Sequence, residues 1–239
     1  MSFLASVLIL GGLVFWFFYS EEFKIKEIIM EGAPDFQKEK LLAEIEDIMA
    51  SKVFYVIPQN CFFSFPAEKA RWRLTDNFLN LKNIEVEKIF PFAISVRAEE
   101  RKPVAVLCLP NCFFVDETGF IFGDAPFFSP GIFVKFFDKR AIKPEKGNFL
   151  LETNDFKRML DFANRLKDFF SVSSIILENE KVYKLYAETG QYLIVDGGED
   201  WALTYNNLVA FFNEMVKNDK DKFEYIDFRF GNKIFFKQQ

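Results

Sequence analysis

Residues 83–105 read NIEVEKIFPFAISVRAEERKPVA, and the fold is decided by how this stretch is divided. Asn83–Ile89 and Phe92–Glu99 are strand-length runs on either side of a turn at Phe90-Pro91. In the second run Ile94, Val96 and Ala98 alternate with Ser95, Arg97 and Glu99, the period of two expected of a strand with one buried face. The two runs read as a hairpin. Toward the N-terminus, Pro66 opens a helix that runs toward Phe78 with Ala70, Leu74 and Phe78 on one side, since its fixed φ suits a first helical position. An earlier helix lies in KEKLLAEIEDIM, where Leu41, Leu42, Ile45, Ile48 and Met49 recur at helical spacing after a turn at Pro34-Asp35. Before it, Phe23, Ile25, Ile28 and Met30 alternate with polar residues up to Glu31-Gly32. A phase shift between Ile25 and Ile28 predicts a bulge. Residues 21–99 are therefore expected to form one strand-helix-helix-strand-strand module.

Upstream of that module, residues 3–19 read FLASVLILGGLVFWFFY without a charge. As a helix this run would cover about 26 Å, just enough to cross a bilayer. A cleaved signal peptide would need a basic leader and small residues at its end. Here only Met1 and Ser2 precede the run, and Val14, Phe15, Trp16, Phe17, Phe18 and Tyr19 close it. Residues 1–20 are expected to be an uncleaved transmembrane anchor, with Phe3, Leu8, Leu13, Trp16 and Tyr19 among its membrane-facing side chains. Trp16 and Tyr19 suit the interface. Because long domains translocate largely regardless of charge, the N-terminus is placed in the cytoplasm and residues 21–239 outside it.

Downstream, residues 100–239 read as a β-rich second domain with two helices, which makes the whole chain α+β. Strands are expected at Val104–Leu107, Phe113–Asp116 and, after Thr118-Gly119, Phe120–Phe122. Residues 123–151 look turn-rich, with Pro126, Pro130, Gly131, Pro144 and Gly147. A helix from about Asp155 keeps Met159, Phe162, Leu166 and Phe169 on one face. Strands follow at Ser174–Leu177, Val182–Ala187 and Tyr192–Val195, the last two joined by Thr189-Gly190. A helix from near Trp201 carries the stripe Leu208, Phe211, Phe212 and Met215. The chain closes with an alternating run from Tyr225 to Phe230, a turn at Gly231-Asn232 and a last strand over Lys233–Lys237.

Composition narrows the chemistry. The net charge is −5, and the densest basic group, Arg97, Arg101 and Lys102, is interleaved with Glu99 and Glu100. Nucleic acid is therefore not an expected partner, because phosphate neutralisation needs a basic face. Histidine is absent from all 239 residues, which removes the imidazole on which nucleophilic triads and most zinc sites lean. The carboxylate pairs Glu99/Glu100 and Asp116/Glu117 are adjacent in strand-like runs and would point to opposite faces. No catalytic site, metal, cofactor or small-molecule substrate is expected. Cys108 and Cys112 flank Leu-Pro-Asn between two strands, so they could bridge or remain two buried thiols, and Cys61 stands apart. The 34 Phe are read as core filler. At the C-terminus, Ile234, Phe235 and Phe236 are consecutive apolar residues, so one must face away from the core. A terminal strand of this kind either caps its own sheet or offers an edge for β-augmentation.

The order of the first module resembles a POTRA domain. Glu100-Arg101-Lys102-Pro103-Val104-Ala105 resembles the ER-x-P-V-A junction of the FtsQ/DivIB bacterial cell-division proteins. FVDETGFIF, from Phe114 to Phe122, resembles that family's hairpin with an acidic residue and a Gly at the turn, and YIDFRFGNKI, from Tyr225 to Ile234, resembles its closing strand leading into a tight turn. The residues before Phe3 lack the family's basic cytoplasmic tail, and neither the cysteines nor the Phe content are family traits. The resemblance implies a non-enzymatic divisome scaffold in the cell membrane, found at the division septum, that links early and late division proteins. It implies single-pass partners resembling FtsB and FtsL, bound along Arg229, Phe230, Gly231, Asn232, Lys233, Ile234, Phe235 and Phe236. Arg229 would be a bidentate partner for an acidic residue and Phe230 an apolar anchor. The POTRA-like module would recruit the protein through other divisome proteins. The alternatives are a POTRA-containing envelope protein of secretion or outer-membrane assembly, and an anchored hydrolase, against which the missing histidine counts.

Overall fold

The computed structural model describes residues 2–126, 131–141, 143–215, 223–231 and 233–238, without the side chains of 2–5, 168 and 215. It is a mixed α+β structure of two compact units, Met1–Arg101 and Lys102–Gln239.

The first unit opens with α1 (Ser2–Tyr19), 18 residues without a charge. Its large side chains from Val7 to Trp16 are exposed. Among the described residues no helix is long and apolar enough to cross a membrane. The expected anchor residue Phe3 has its side chain outside what is described. A turn of 3-10 helix at Glu21–Phe23 follows, and β1 (Glu27–Glu31) starts only after it. The phase shift at Ile25 is thus not a bulge within a strand. Ile25 instead donates its N–H to the Asn60 carbonyl at 3.0 Å, outside β1.

α2 (Asp35–Ala50) buries Leu41, Ile45 and Ile48. Two very short strands, β2 (Lys52–Val53) and β3 (Ile57–Pro58), then pair as a hairpin that no periodicity announced. α3 (Ala67–Asn77) starts one residue after Pro66 and buries Ala70 and Leu74. β4 (Leu81–Ile89) and β5 (Ala93–Glu100) form the expected antiparallel hairpin, and β1 lies parallel to β5 on its other side. As the middle strand, β5 buries Ser95 as well as Ile94 and Val96. Leu41, Ile45, Ala70 and Leu74 pack on Val86, Ile94, Val96 and Ala98 to make the core. Gly32, between β1 and α2, is fixed by close approach. Its φ is +74°, and a Cβ there would lie 2.4 Å from the Ala98 carbonyl oxygen.

The second unit is built on one nine-stranded sheet. β6 (Ala105–Leu109), β7 (Asn111–Val115) and β8 (Ile121–Ala125) form an antiparallel meander. β9 (Val134–Asp138) was not expected, because the Pro and Gly residues around it make 123–151 look like loop. It is nevertheless central, parallel to β6 on one side and to β10 (Val172–Leu177) on the other. Between them runs α4 (Thr153–Arg165). β11 (Val182–Ala187) and β12 (Tyr192–Asp196) follow as antiparallel neighbours, and α5 (Trp201–Met215) crosses over to β13 (Phe223–Phe230), parallel to β12. The last strand is β14 (Lys233–Gln238), antiparallel to β13. The order is β14-β13-β12-β11-β10-β9-β6-β7-β8. A parallel crossover followed by a hairpin therefore occurs twice, as β9-α4-β10-β11 and as β12-α5-β13-β14. Phe156, Met159 and Phe162 of α4 and Leu208, Phe211 and Phe212 of α5 bury Phe136, Ile175, Leu185, Leu193 and Ile226 of the sheet.

Candidate partner-binding edge

β14 ends the nine-strand order, so only one of its sides is paired within the described residues. Its pairing with β13 runs Phe223↔Gln238, Tyr225↔Lys237, Ile226↔Phe236, Asp227↔Phe235 and Phe230↔Lys233, with an irregularity between Asp227 and Phe230. Alternation then sorts its side chains. Ile234 packs partly on the core, and the Phe236 ring lies 5.3 Å from Phe211 of α5. Phe235 points the other way, its ring 5.0 Å from that of Phe230. Phe230 and Phe235 are each 53% exposed, an apolar pair at the rim of an open edge. Lys233 is exposed, and Lys237 pairs with Glu224 at 2.5 Å, which raises its pKa. Gly231 has φ +60°, and its carbonyl accepts from the Asn207 side chain at 3.2 Å. Asn232 lies outside the described residues.

Arg229 behaves differently from the expected partner-facing residue. Its Nε donates to Oδ1 of Asp227 at 2.9 Å and its Nη2 to Oδ2 at 2.6 Å, and its backbone N–H adds a bond to Oδ1 at 3.1 Å. These hydrogen bonds to the Asp227 carboxylate raise the pKa of the guanidinium. Asp227 is only 5% exposed, so the fork that could hold another protein's carboxylate is spent on a carboxylate of this chain. The same device occurs in the β9 half of the repeat. Arg140 reaches the buried Asp138 through Nε at 3.0 Å and Nη2 at 2.6 Å, with its own N–H on Oδ1 at 2.9 Å. The sequence signal for both is Asp-x-Arg, which stands at 138–140 and 227–229; Asp138 ends β9, the first strand of its half, whereas Asp227 lies in β13, the second strand of its half, so one local motif is used twice at non-equivalent places.

The opposite edge of the sheet is partly covered. Ile121 of β8 donates to the Asn148 carbonyl at 2.9 Å and accepts from Gly147 N–H at 2.8 Å, while Leu150 N–H reaches the Gly119 carbonyl at 2.8 Å. The segment 147–150 thus takes main-chain groups that an added strand would need. Asp116, one of the adjacent carboxylates, is buried and accepts from the N–H groups of Thr118 and Phe120 and from the Thr118 hydroxyl, which organises the β7–β8 turn. Among the described residues no three His, Cys, Asp or Glu are gathered in a way that could hold a metal ion. Cys108 and Cys112 face each other across β6 and β7 and are joined by a disulfide, while Cys61 is free and buried. Of the expected anchor residues, Leu8, Leu13 and Trp16 are exposed, and Tyr19 donates its hydroxyl to the Val56 carbonyl at 2.6 Å.

No family model matches the chain. Among curated proteins it is similar to the cell division protein FtsQ of Syntrophotalea carbinolica, with 25% identity over 227 residues that cover 92% of this chain and 76% of the relative. The comparison bears out the resemblance to the FtsQ/DivIB family.

Proposed function

We propose that this chain, as a relative of FtsQ, acts in cell division as a membrane-anchored, non-catalytic scaffold that binds a strand of another protein along β14. The observation that carries this reading is the asymmetry of the large sheet. One edge is partly taken up by residues 147–150, whereas the outer side of β14 has no strand beside it among the described residues and is flanked by the exposed rings of Phe230 and Phe235. An added strand would extend the sheet by main-chain hydrogen bonds and place an apolar side chain on those rings. The site residues remain those expected, with one change of role: Arg229 supports the edge through Asp227, and Phe230 and Phe235 supply the apolar contact. The partners are single-pass division proteins resembling FtsB and FtsL.

In this reading α1 is the anchor. Its described side chains, Ser6 to Tyr19, would cover about 21 Å, and the full 18 residues of the helix about 27 Å, close to the hydrocarbon thickness. Exposure of Leu8, Ile9, Leu10, Leu13, Phe15 and Trp16 is costly in water and favourable in lipid. The sheet order β1-β5-β4 under α2 and α3 supports a POTRA-like role for the first unit in recruitment to the septum. The test is a fluorescent fusion of the full chain, compared with F230A/F235A. A midcell band for both, with loss of co-purified single-pass partners only for the variant, is the expected result. Uniform envelope fluorescence of a functional fusion through the cell cycle would overturn the division role. Undiminished partner capture by a folded F230A/F235A would overturn the assignment to β14.

A further inference from the structure

The hairpin of β2 and β3 carries Phe54 and Tyr55 at its tip with φ of 48° and 62°. Large aromatic residues are rare in this left-handed region, which glycine and asparagine occupy at less cost. Neither is repaid by packing, since Phe54 is 85% and Tyr55 95% exposed, and Val56 beside them is exposed too. Strained, solvent-facing aromatics point to something that covers them.

The place of the hairpin says what that is. Tyr19, the last residue of α1, donates its hydroxyl to the Val56 carbonyl at 2.6 Å, and Lys52 lies 5.9 Å over the Tyr19 ring. From the same end of α1 a continuous run of rings spreads through the unit. Phe17 lies 5.1 Å from Phe63, Phe63 5.5 Å from Phe62, Phe62 5.8 Å from Phe92 and Phe92 6.3 Å from the exposed Phe90. Lysines sit on this aromatic face, Lys26 over Phe92 at 5.4 Å and Lys88 over Phe62 at 5.8 Å. Lys88 also reaches the Phe63 carbonyl at 3.3 Å, and Lys24 nearby is paired with Glu21.

We infer that this face of the first unit rests in the head-group layer of the bilayer at which α1 ends, with Phe54 and Tyr55 reaching furthest in. The inference rests on the anchor reading above. Aromatic rings favour the membrane interface, and lysines there meet lipid phosphates. Because the ring face starts at the last turn of α1, a helix embedded in the bilayer brings the face to the surface without any added segment. The unit would then be held at the membrane at several points and not merely tethered by one.

The experiment places photoreactive benzoylphenylalanine in turn at Leu10, Phe54, Phe90 and Trp72 of the full chain in phosphatidylglycerol-containing nanodiscs, with adducts read by mass spectrometry. All four positions are exposed, and Trp72 of α3 is outside the ring run, so it serves as the control. Lipid adducts at Leu10, Phe54 and Phe90, several-fold above Trp72, support the inference. Adducts at Leu10 alone overturn it and leave the anchor standing. No adduct at Leu10 overturns the anchor reading, and the inference with it. Cross-links from Phe54 and Phe90 to a second copy of the chain in place of lipid would overturn it in favour of a protein contact.

Discussion

Replacing Arg229 by alanine separates a supporting role at the β14 edge from a direct contact with a partner. In the wild type the 5% exposed Asp227 carboxylate receives three guanidinium bonds, Nε being shared between its two oxygens, and one backbone N–H. R229A leaves the backbone bond and removes the charge-assisted pair. Losing the partner of a fully buried ion pair costs about 3–5 kcal/mol. Here the Arg229 side chain is 35% exposed, so water partly compensates and the expected loss is about 2 kcal/mol. For a domain of this size that corresponds to a Tm lower by about 4–8 °C. D227A should cost a similar amount even though Asp227 cannot reach a partner, and the double variant should be no worse than the worse single one, because both act through one bond network. Thermal unfolding of the full chain in nanodiscs, followed by near-ultraviolet circular dichroism, reads all three. Partner capture should fall in parallel with the Tm for both single variants. An R229A protein with an unchanged Tm that no longer captures its partner, beside a D227A protein that still does, would refute the reasoning and return Arg229 to the role of a partner contact.

Three further outcomes follow from the geometry. G32A should destabilise the first unit by about 1–3 kcal/mol, because a φ of +74° and a Cβ 2.4 Å from the Ala98 oxygen are both unfavourable, and its melting transition should fall accordingly. Reducing the Cys108–Cys112 bridge should cost about 2 kcal/mol or less, since it closes a loop of only four residues' separation, and the reduced protein should stay folded by circular dichroism. Burial of Glu178 opposes ionisation, but hydrogen bonds from Lys184 and Lys139 at 3.0 and 3.1 Å outweigh it and hold its pKa below the ordinary 4.5. A depressed carboxyl pKa contributes stability that is complete above the unfolded value and is lost as pH falls through the folded one. Acid titration of stability below about pH 4.5 should therefore be less steep in E178Q than in the wild type, and identical curves would refute the pairing.

Much of the fold was readable before any tertiary information. The alternation through Ile94, Val96 and Ala98 located the β4–β5 hairpin, and Leu41, Ile45 and Ile48 located α2, because each pattern reports one buried face. The patterns failed where burial has two sides or none. Ser95 is buried because its strand is central, a fact about neighbours and not about the strand itself. β9 was hidden by the prolines and glycines around a strand of five residues, although its two parallel partners make it the joint of the large sheet. β2 and β3 are too short to carry a period, so the exposed Phe54-Tyr55 tip could not be anticipated.

At the candidate edge the division is the same. The sequence by itself determined that the last strand is apolar on both sides, since three consecutive apolar residues, Ile234 to Phe236, cannot all face one core in a chain that alternates. It also contained Asp227 and Arg229 two positions apart. Only the tertiary structure decided that Phe235 packs edge-to-face on Phe230 while Phe236 goes to α5, that residues 147–150 lie along the other edge of the sheet, and that the Arg229 fork turns inward. Local periodicity fixes which side chains share a face. Which edge stays open and which charge is already paired depend on residues far apart in the chain, and these meet only when the sheet is assembled.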